Sequence, residues 1–364
     1  MIASKAIPSG VELDFSTVNY SRFSPDKPMP SPSTIRALNR NLGGVRAENF
    51  YRPPPLHIPS LGLLVKYGAD VTIHEARTQI MIREKLCGQV PTPEVFGWVV
   101  DGGQVFIYMQ LIQGETLEAR WHNLDKANRL SICSQLKRMV ASWRSLLQDD
   151  QECYIGSTGK QALNDIFLQH RPDLTGPFEG PDAIAQFHAA CGIDISQRGP
   201  IVFTHADLVA PNILLSTGPK PTVVAIIDWG QAGWYPSYWE YCKARRVELA
   251  SHCFSPETQD EWRAKYLPLI MEAVDNETIV LCFKDCSIYY KLGWNVDTQL
   301  TLPCQVAGRG LYEKYISLAR VPVMPTTCTF QPPSALYKDI DSKFMYTWSL
   351  GSSPEYSAFR ECYQ

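Results

Sequence analysis

The first third of the chain has the hydrophobic pattern of a small sheet accompanied by one helix. Residues 62–68 form an apolar run that predicts a short buried strand, with a single lysine, Lys66, near its end. Residues 72–86 carry apolar side chains at helical spacing and predict a helix directly after that strand. Three successive prolines at 53–55 exclude a central strand just before this region, because proline cannot donate to a sheet ladder.

An antiparallel hairpin is predicted next in the chain. Residues 95–100 and 105–111 are strand-like, and the Asp-Gly-Gly sequence between them is a strong turn signal. On the N-terminal side of the sheet, residues 33–42 predict a helix with Ser33 as its cap, followed by a Gly-Gly pair that interrupts it.

After Gly114 the pattern changes to that of helices. Asp125 is placed to cap a helix that extends to about residue 147. Apolar residues recur along it at steps of three and four, which indicates one buried stripe. The stripe consists of Leu130, Cys133, Leu136, Val140, Trp143 and Leu147. Short strands are predicted at 201–204, 213–215 and 223–227, and a further helix at 257–274.

These changes divide the chain into four predicted regions. They are an N-terminal arm (1–32), a sheet-containing N-lobe (33–113), a larger, mostly helical C-lobe (114–330) and a C-terminal tail (331–364). The predicted class is therefore α+β, with a small antiparallel sheet in one lobe. Ligand sites are common where two lobes meet, so we expect a binding cleft between them.

Composition and charge narrow the possible partners of the 364-residue chain. Its net charge of -3 gives no basic field, so nucleic acid is not an expected partner. No segment approaches the roughly 18 to 20 apolar residues of a membrane helix. The first ten residues lack the apolar run of a signal peptide, and we expect a cytoplasmic protein. Its 11 cysteines include no C-x-x-C pair, which favours reduced thiols over disulfides or zinc.

The segment 203–215, F-T-H-A-D-L-V-A-P-N-I-L-L, carries most of the chemical information. Asp207 and Asn212 have the spacing of the catalytic loop of protein kinases, and Asp228-Trp229-Gly230 stands where those enzymes carry D-F-G. Asn212 and Asp228 offer the oxygen ligands that Mg²⁺ prefers. Asp207 would lie beside the metal and accept the proton of an attacking hydroxyl group.

Each of these residues also has an ordinary explanation. Asp207 alone is compatible with a turn, Asn212 with a helix cap and Asp228 with the end of a strand. Their combination, with Pro211 shaping the loop between apolar strands, favours the catalytic interpretation. His205 is a candidate general base, but in such a loop a role in holding the backbone by hydrogen bonds is favoured.

Lys66 needs a partner if its strand is buried, because an unpaired ammonium group inside an apolar strand is costly. Glu75, early on the next helix, is the first candidate, and Glu84 is the alternative. A Lys66–Glu75 pair would present the ammonium group to the α- and β-phosphate oxygens of ATP. The ordinary alternative is a lysine at a strand end with its charge in water.

Nucleotide binding also requires contacts to the base and the phosphates. The backbone of Gln110 and Ile112, at the end of the hairpin, is placed to bind adenine, although a plain linker would look the same. No G-x-G-x-x-G motif precedes Lys66; Gly43-Gly44 is a weak candidate for a turn that covers the nucleotide.

Together these stretches resemble the aminoglycoside phosphotransferase and choline kinase-like family, and most of all its fungal phosphotransferase-like group. The matching motifs are V-K-Y-G at 65–68, H-E-A-R at 74–77, P-T-P-E-V-F-G at 91–97, I-Q-G-E-T-L at 112–117, H-A-D-L-V-A-P-N-I-L at 205–214 and I-D-W-G-Q-A-G-W-Y-P-S-Y-W-E-Y at 227–241. The resemblance implies the bilobal protein kinase-like fold.

The resemblance also implies a set of roles. Asp207 would be the catalytic base, Asn212 and Asp228 the Mg²⁺ ligands, and Lys66 with Glu75 a phosphate clamp. Two departures stand out, since the family usually has glycine at the position of Ala206, and a small polar residue or histidine near Val209.

The acceptor is expected to be a small molecule with a hydroxyl group. Aromatic residues follow the Asp228 motif, and a second set lies later, which favours an aromatic or apolar acceptor over a polyamine sugar; the alternative is that the rings belong to the core. The two sets are Trp234, Tyr235, Tyr238, Trp239 and Tyr241, and Tyr289, Tyr290 and Trp294.

Three functions follow from these observations. The leading one is a Mg²⁺- and ATP-dependent small-molecule O-phosphotransferase. The second keeps the fold but performs another reaction, such as a cyclisation or coupling, in small-molecule biosynthesis. The third is a non-catalytic nucleotide-binding pseudokinase, which the presence of both Asp207 and Asp228 disfavours.

Overall fold

The computed structural model describes residues 29–148, 153–168, 174–193 and 199–275, together with Thr278. The predicted tail at 331–364, most of the predicted arm, and the aromatic set at Tyr289, Tyr290 and Trp294 lie outside the described residues. The described residues up to Arg245 and from Ser251 onward form one compact unit, whereas Arg246–Ala250 belong to a second unit.

The first part of the unit is a four-stranded antiparallel sheet with two helices. Its elements are α1 (Pro32–Leu42), β1 (Leu56–Ile58), β2 (Leu63–Gly68), α2 (Ile73–Lys85), β3 (Val95–Asp101) and β4 (Gln104–Gln110). The strand order is β1-β2-β4-β3. Strand β1 begins directly after the three prolines, so the chain enters the sheet where backbone N–H groups become available again.

The two faces of this sheet pack against different helices. Side chains alternate along a strand, so Val65 and Tyr67 of β2 share one face, while Lys66 lies on the other. The first face packs with Ile35 of α1 in one hydrophobic cluster. The second face, which includes Ile107 and Met109 of β4, packs with Ala76 of α2. The alternation therefore directs Lys66 towards α2.

Local signals account for the ends of these elements. The hairpin turn consists of Gly102 and Gly103, with φ of 57° and 78°, as a tight two-residue turn requires. Helix α1 is capped by the Ser31 hydroxyl, which accepts from the Thr34 N–H, so the prediction of Ser33 as cap was wrong by two residues. Proline at the first helical position explains the earlier start.

The second part of the unit is richer in helices. Its helices are α3 (Leu117–Arg120), α4 (Lys126–Arg144), α5 (Ala183–Cys191), α6 (Trp239–Arg246), α7 (Pro256–Glu261) and α8 (Leu267–Ile270). Its strands are β5 (Glu115–Thr116), β6 (Tyr154–Ile155), β7 (Phe178–Glu179), β8 (Ile201–Thr204), β9 (Ile213–Leu215), β10 (Val223–Ile226) and β11 (Gly233–Pro236). A π-helical turn, Trp262–Tyr266, joins α7 to α8, so the helix predicted at 257–274 is irregular and ends at Ile270.

Helix α4 starts as predicted, with the Asp125 carboxylate accepting from the Asn128 N–H at 2.7 Å. The middle of its predicted stripe is buried, but the two ends are not. Leu130 is 40% exposed, and Leu147, at 82%, lies beyond the last helical residue. The predicted stripe extended to Leu147 because it assumed constant helical spacing, whereas the helix ends at Arg144.

Strand pairing brings two loops to the same place. Strands β9 and β10 pair with each other, and so do β8 and β11. The loop 205–212 connects β8 to β9, and the loop 227–232 connects β10 to β11. Both loops therefore connect the same two strand pairs. This brings the Asp207–Asn212 loop and the Asp228 loop to the same part of the unit.

The structure confirms the predicted α+β class. A small antiparallel sheet with one helix packed on each face is followed by a helix-rich region that carries two loops between short strands, which is the order of the bilobal protein kinase-like fold. Within the described part of the chain, no helix is both long and apolar enough to cross a membrane. None of the described cysteines forms a disulfide.

Candidate active site

Lys66 lies between two carboxylates. Its Nζ atom is 2.7 Å from Oε1 of Glu75 and 2.9 Å from Oδ1 of Asp228. Glu75 is the predicted partner, whereas the alternative, Glu84, is exposed on α2. Burial opposes the charge of Lys66, but Asp228 and Glu75 together raise the pKa of its ammonium group well above the ordinary value. Lys66 is therefore a permanent cation at the centre of this cluster.

The local structure explains how Glu75 reaches the lysine. Thr72 caps α2 by accepting from the Glu75 N–H, which places Glu75 in the first turn, beside the strand that carries Lys66. Gly230 allows the loop 227–232 to approach α2 closely, since a Cβ atom at this position would lie 3.1 Å from Oε2 of Glu75. The sequence D-W-G thus has its glycine where the two parts of the unit meet.

Asp207 lies on the loop between β8 and β9 and is held by Asn212. The Asn212 Nδ2 donates to the Asp207 carbonyl oxygen at 2.9 Å and to its Oδ2 at 3.1 Å. Burial and the nearby Asp228 carboxylate raise the pKa of Asp207 to about 7, although Lys243 and Asn212 lower it. A carboxylate with this pKa is suited to proton transfer near neutral pH.

His205 holds the loop through both of its ring nitrogens. Its side chain is fully buried, Nε2 lies 3.0 Å from the Ile227 carbonyl oxygen, and Nδ1 accepts from the Asp207 N–H at 3.2 Å. Burial lowers the pKa of the imidazole, which keeps it neutral. This geometry ties the loop of Asp207 to the end of β10 and favours the positional role over that of a general base.

The two departures from the family pattern have clear structural settings. Ala206 has φ of 61°, in the left-handed region where glycine is favoured, so alanine is an unusual residue for this backbone position. Val209 is 6% exposed, so its side chain belongs to the packed interior of the loop and not to the surface of a cleft.

Glu240 of α6 organises the backbone of the Asp207 loop. This fully buried carboxylate accepts from the N–H groups of His205 at 2.8 Å, Ala206 at 3.2 Å and Leu208 at 3.2 Å. This role of Glu240 was not predicted from the sequence. The available signal was a carboxylate within a run of aromatic residues, since a buried charge must find partners.

A second buried network on α6 supports the Asp228 loop. Lys243 donates to Oδ2 of Asp165 at 2.9 Å and to Oε1 of Gln231 at 2.8 Å. Asp165 is fully buried and also accepts from the Trp239 indole N–H. Asn164 donates to the Gly230 carbonyl oxygen at 2.8 Å. Glu240 and Lys243, three residues apart on one helix face, therefore fix both loops of the site.

The two residues predicted to bind adenine, Gln110 and Ile112, differ in whether the backbone N–H group is already hydrogen-bonded. The Gln110 N–H donates to the Glu94 carbonyl oxygen at 2.8 Å, so this N–H is already used within the sheet. Ile112 is half-buried just beyond β4, and in the described part of the chain no acceptor takes its N–H. Of the two predicted residues, Ile112 is the one whose backbone N–H remains for a base.

The aromatic residues after the Asp228 motif belong to the core. Trp234, Tyr235, Tyr238, Trp239 and Tyr241 are all at most 6% exposed. Several pack edge-to-face or stacked on one another, as Tyr235 and Trp239 do with ring centroids 6.0 Å apart. The preference for an aromatic acceptor stays a prediction, but these five rings do not support it.

The two loops offer few side chains that could bind a metal ion. Among the residues described, no group of three or more histidine, cysteine, aspartate or glutamate side chains is arranged to hold a metal ion. Asp228 contributes a carboxylate and Asn212 an amide oxygen. Mg²⁺ is commonly bound through one or two carboxylates, with phosphate oxygens and water as the other ligands, so this donor set fits a cation that arrives with a nucleotide.

A model of the phosphotransferase enzyme family matches residues 69–268, more than half of the chain. The chain belongs to this family. The matched range contains Glu75, Asp207, Asn212 and Asp228, whereas Lys66 and Gly68 precede it. A comparison with curated proteins gave no significant match.

Solved structures of aminoglycoside phosphotransferases are similar to this chain at low identity. The enzyme APH(3'')-Id from Streptomyces rimosus, in complex with ADP and streptomycin, is 17% identical over 71% of this chain and 99% of that chain, with a TM-score of 0.39. APH(4)-Ia, in a ternary complex with AMP-PNP and hygromycin B, is 12% identical over 58% and 75%, with a TM-score of 0.36. At these values the ligands of the relatives do not identify a ligand of this chain.

Proposed function

We propose that this protein transfers the γ-phosphoryl group of ATP, in a Mg²⁺-dependent reaction, to a hydroxyl group of a small molecule. The observation that carries the proposal is the cluster in which Lys66 lies within 2.9 Å of both Glu75 and Asp228, beside the Asp207–Asn212 pair. Membership of the phosphotransferase enzyme family supports the reaction class.

Lys66 is proposed to bind the phosphates and Glu75 to hold the lysine in place. Phosphoryl transfer requires little covalent chemistry from the protein, and positioning and charge stabilisation account for most of the catalysis. Lys66 lies on the face of β2 that packs against α2, and its Nζ atom contacts Asp228 on the loop proposed to hold the cation. The Ile112 backbone is the proposed contact for adenine.

Asn212 and Asp228 are the proposed ligands of Mg²⁺, which when bound offsets the negative charge of the phosphates. Carboxylates outnumber ammonium groups here, since Lys66 faces both Glu75 and Asp228 while Asp207 lies close by. A cation relieves an excess of negative charge at this partly buried site, which is the physical reason for expecting one.

Asp207 is proposed as the base. Its carboxylate would accept the proton of the acceptor hydroxyl group as the oxygen forms a bond to the γ-phosphorus and the bond to ADP breaks. Asn212 orients the carboxylate through its 3.1 Å contact with Oδ2, and Glu240 holds the backbone around it.

The direct test of the reaction is the mass of the product. The purified protein is incubated with ATP, Mg²⁺ and a library of small hydroxyl compounds, and the mixture is examined for compounds that gain one phosphoryl group. We expect such a product, with equimolar ADP, and none when Mg²⁺ is removed by a chelator. Turnover of a compound without phosphoryl gain and without any need for ATP would instead support the alternative of a different reaction on this fold.

Replacing Glu75 by glutamine is expected to reduce turnover by roughly 10- to 100-fold. Glutamine still accepts from Lys66 but no longer supplies the negative charge of a contact worth about 1.5–3 kcal/mol. The matched control is Glu84→Gln on the exposed side of the same helix, which should leave turnover unchanged. Steady-state rates with saturating ATP give the comparison. Equal rates for the two variants would show that Glu75 does not hold Lys66 in its phosphate-binding position.

A further inference from the structure

The segment 49–52, which precedes the sheet, packs against the end of the strand that carries Lys66. The Ala69 N–H donates to the Phe50 carbonyl oxygen and the Asp70 N–H to the Tyr51 carbonyl oxygen, each at 3.1 Å. Gly68 permits this approach, since a Cβ atom there would lie 2.1 Å from the Tyr51 oxygen. The segment is thus fixed against the end of β2, two to four residues beyond Lys66.

Arg52 on this segment is held in a defined position. The Asn49 Oδ1 accepts from the N–H groups of Tyr51 and Arg52, at 2.9 and 2.8 Å. The Arg46 guanidinium donates to the Arg52 carbonyl oxygen at 2.8 Å. The Arg52 side chain is 35% exposed and its Nε lies 3.3 Å from Oδ2 of Asp70. A positioned, partly exposed guanidinium group therefore lies at this edge of the sheet.

Arg52 pairs with Asp70, which lies in the short connection between the strand that carries Lys66 and the helix that carries Glu75. Burial raises the pKa values of Glu75 and Asp228, and the nearby Lys66 ammonium group lowers them. The Arg52 guanidinium also lowers both pKa values, by a smaller amount. Two carboxylates on different elements, α2 and the loop after β10, are thus within the field of one arginine. Gly43-Gly44, the other candidate for phosphate binding, instead follows the end of α1, where the Gly43 N–H donates to the Arg40 carbonyl oxygen.

We propose that Arg52 is a second phosphate-binding residue, which acts with Lys66 on the polyphosphate of the nucleotide in place of a glycine-rich loop. The proposal rests on the proposed function, since it assumes a nucleotide at Lys66. A guanidinium group presents its N–H donors in a planar fork, and this geometry matches the oxygens of a phosphate group.

The test measures the binding of adenosine, AMP, ADP and ATP, with Mg²⁺, to the wild-type protein and to Arg52→Gln by calorimetry. Since the lost contact is to phosphate, the affinity for ATP should fall roughly 10- to 100-fold and that for adenosine should stay unchanged, with ADP and AMP between them. Arg52→Lys keeps the charge without the fork and should recover part of the loss for ATP.

Asp70→Asn is the matched control for a structural role. It weakens the ion pair that holds Arg52 but keeps the cation, so ATP affinity should change by less than threefold, an order-of-magnitude expectation for a half-exposed pair. Equal losses for adenosine and ATP in Arg52→Gln, or an Asp70→Asn variant that reproduces them, would overturn the proposal. If wild type binds ATP and Arg52→Gln binds it equally well, Arg52 is excluded while the proposed function stands; if wild type binds no nucleotide, both fail.

Discussion

Replacing Asp207 by asparagine is expected to lower the rate of phosphoryl transfer by roughly 10²- to 10⁴-fold, the usual contribution of a positioned general base. Asparagine has the size of aspartate but does not accept the proton of the acceptor. The Asp207 pKa of about 7 indicates a carboxyl group whose basicity is matched to neutral conditions. Rates are measured with wild type and variant at saturating ATP and Mg²⁺.

The affinity for ATP separates a catalytic from a structural effect in this variant. We expect the dissociation constant of ATP to stay within about threefold of wild type, because Asp207 is assigned to the acceptor and not to the nucleotide. Asp260→Asn, at a site where the side chain is 83% exposed, is the control for the substitution itself. Parallel losses of ATP affinity and rate would contradict the assignment of Asp207 as the base.

Replacing Glu240 by glutamine is expected to reduce both stability and turnover. Glutamine has one acceptor oxygen, so its amide N–H groups would face either the His205 and Ala206 donors on one side or the Leu208 donor on the other, which the two carboxylate oxygens now satisfy. Each buried donor left without a partner costs about 1–3 kcal/mol, so the free energy of unfolding should fall by roughly 2–5 kcal/mol. Turnover should fall at least tenfold, because these donors shape the loop that carries Asp207.

Denaturant unfolding and steady-state rates, measured below the unfolding transition, test this prediction together. Glu84→Gln, an exposed glutamate on α2, should change the free energy of unfolding by no more than about 0.5 kcal/mol. A Glu240→Gln variant as stable and active as this control would show that the three hydrogen bonds do not determine the loop geometry.

Much of the fold was predictable because its signals are local. The strand with Lys66, the hairpin with its two glycines and the helix capped by Asp125 are all specified within a few residues of sequence. The pairing of Lys66 with Glu75 was also predictable, since a lysine on the buried face of a strand needs a partner on the next packed element.

The supporting residues could not be predicted in the same way. Glu240 contacts a loop 32 to 35 residues away, and Lys243 contacts Asp165 across 78 residues, so neither contact leaves a local pattern. The aromatic run on and before α6 has the composition of either a ligand pocket or a core, and only the packing distinguishes the two. In the same way, the position of Arg52 depends on backbone pairing between a loop and the end of β2.

A crystal structure of the protein with a non-hydrolysable ATP analogue and Mg²⁺ is the most direct test of the proposed active site. We expect a cation bound by the Asp228 carboxylate and the Asn212 amide oxygen, with Lys66 on the phosphates and Asp207 facing the terminal phosphoryl group. A nucleotide bound elsewhere, or a cation that touches neither Asp228 nor Asn212, would contradict it.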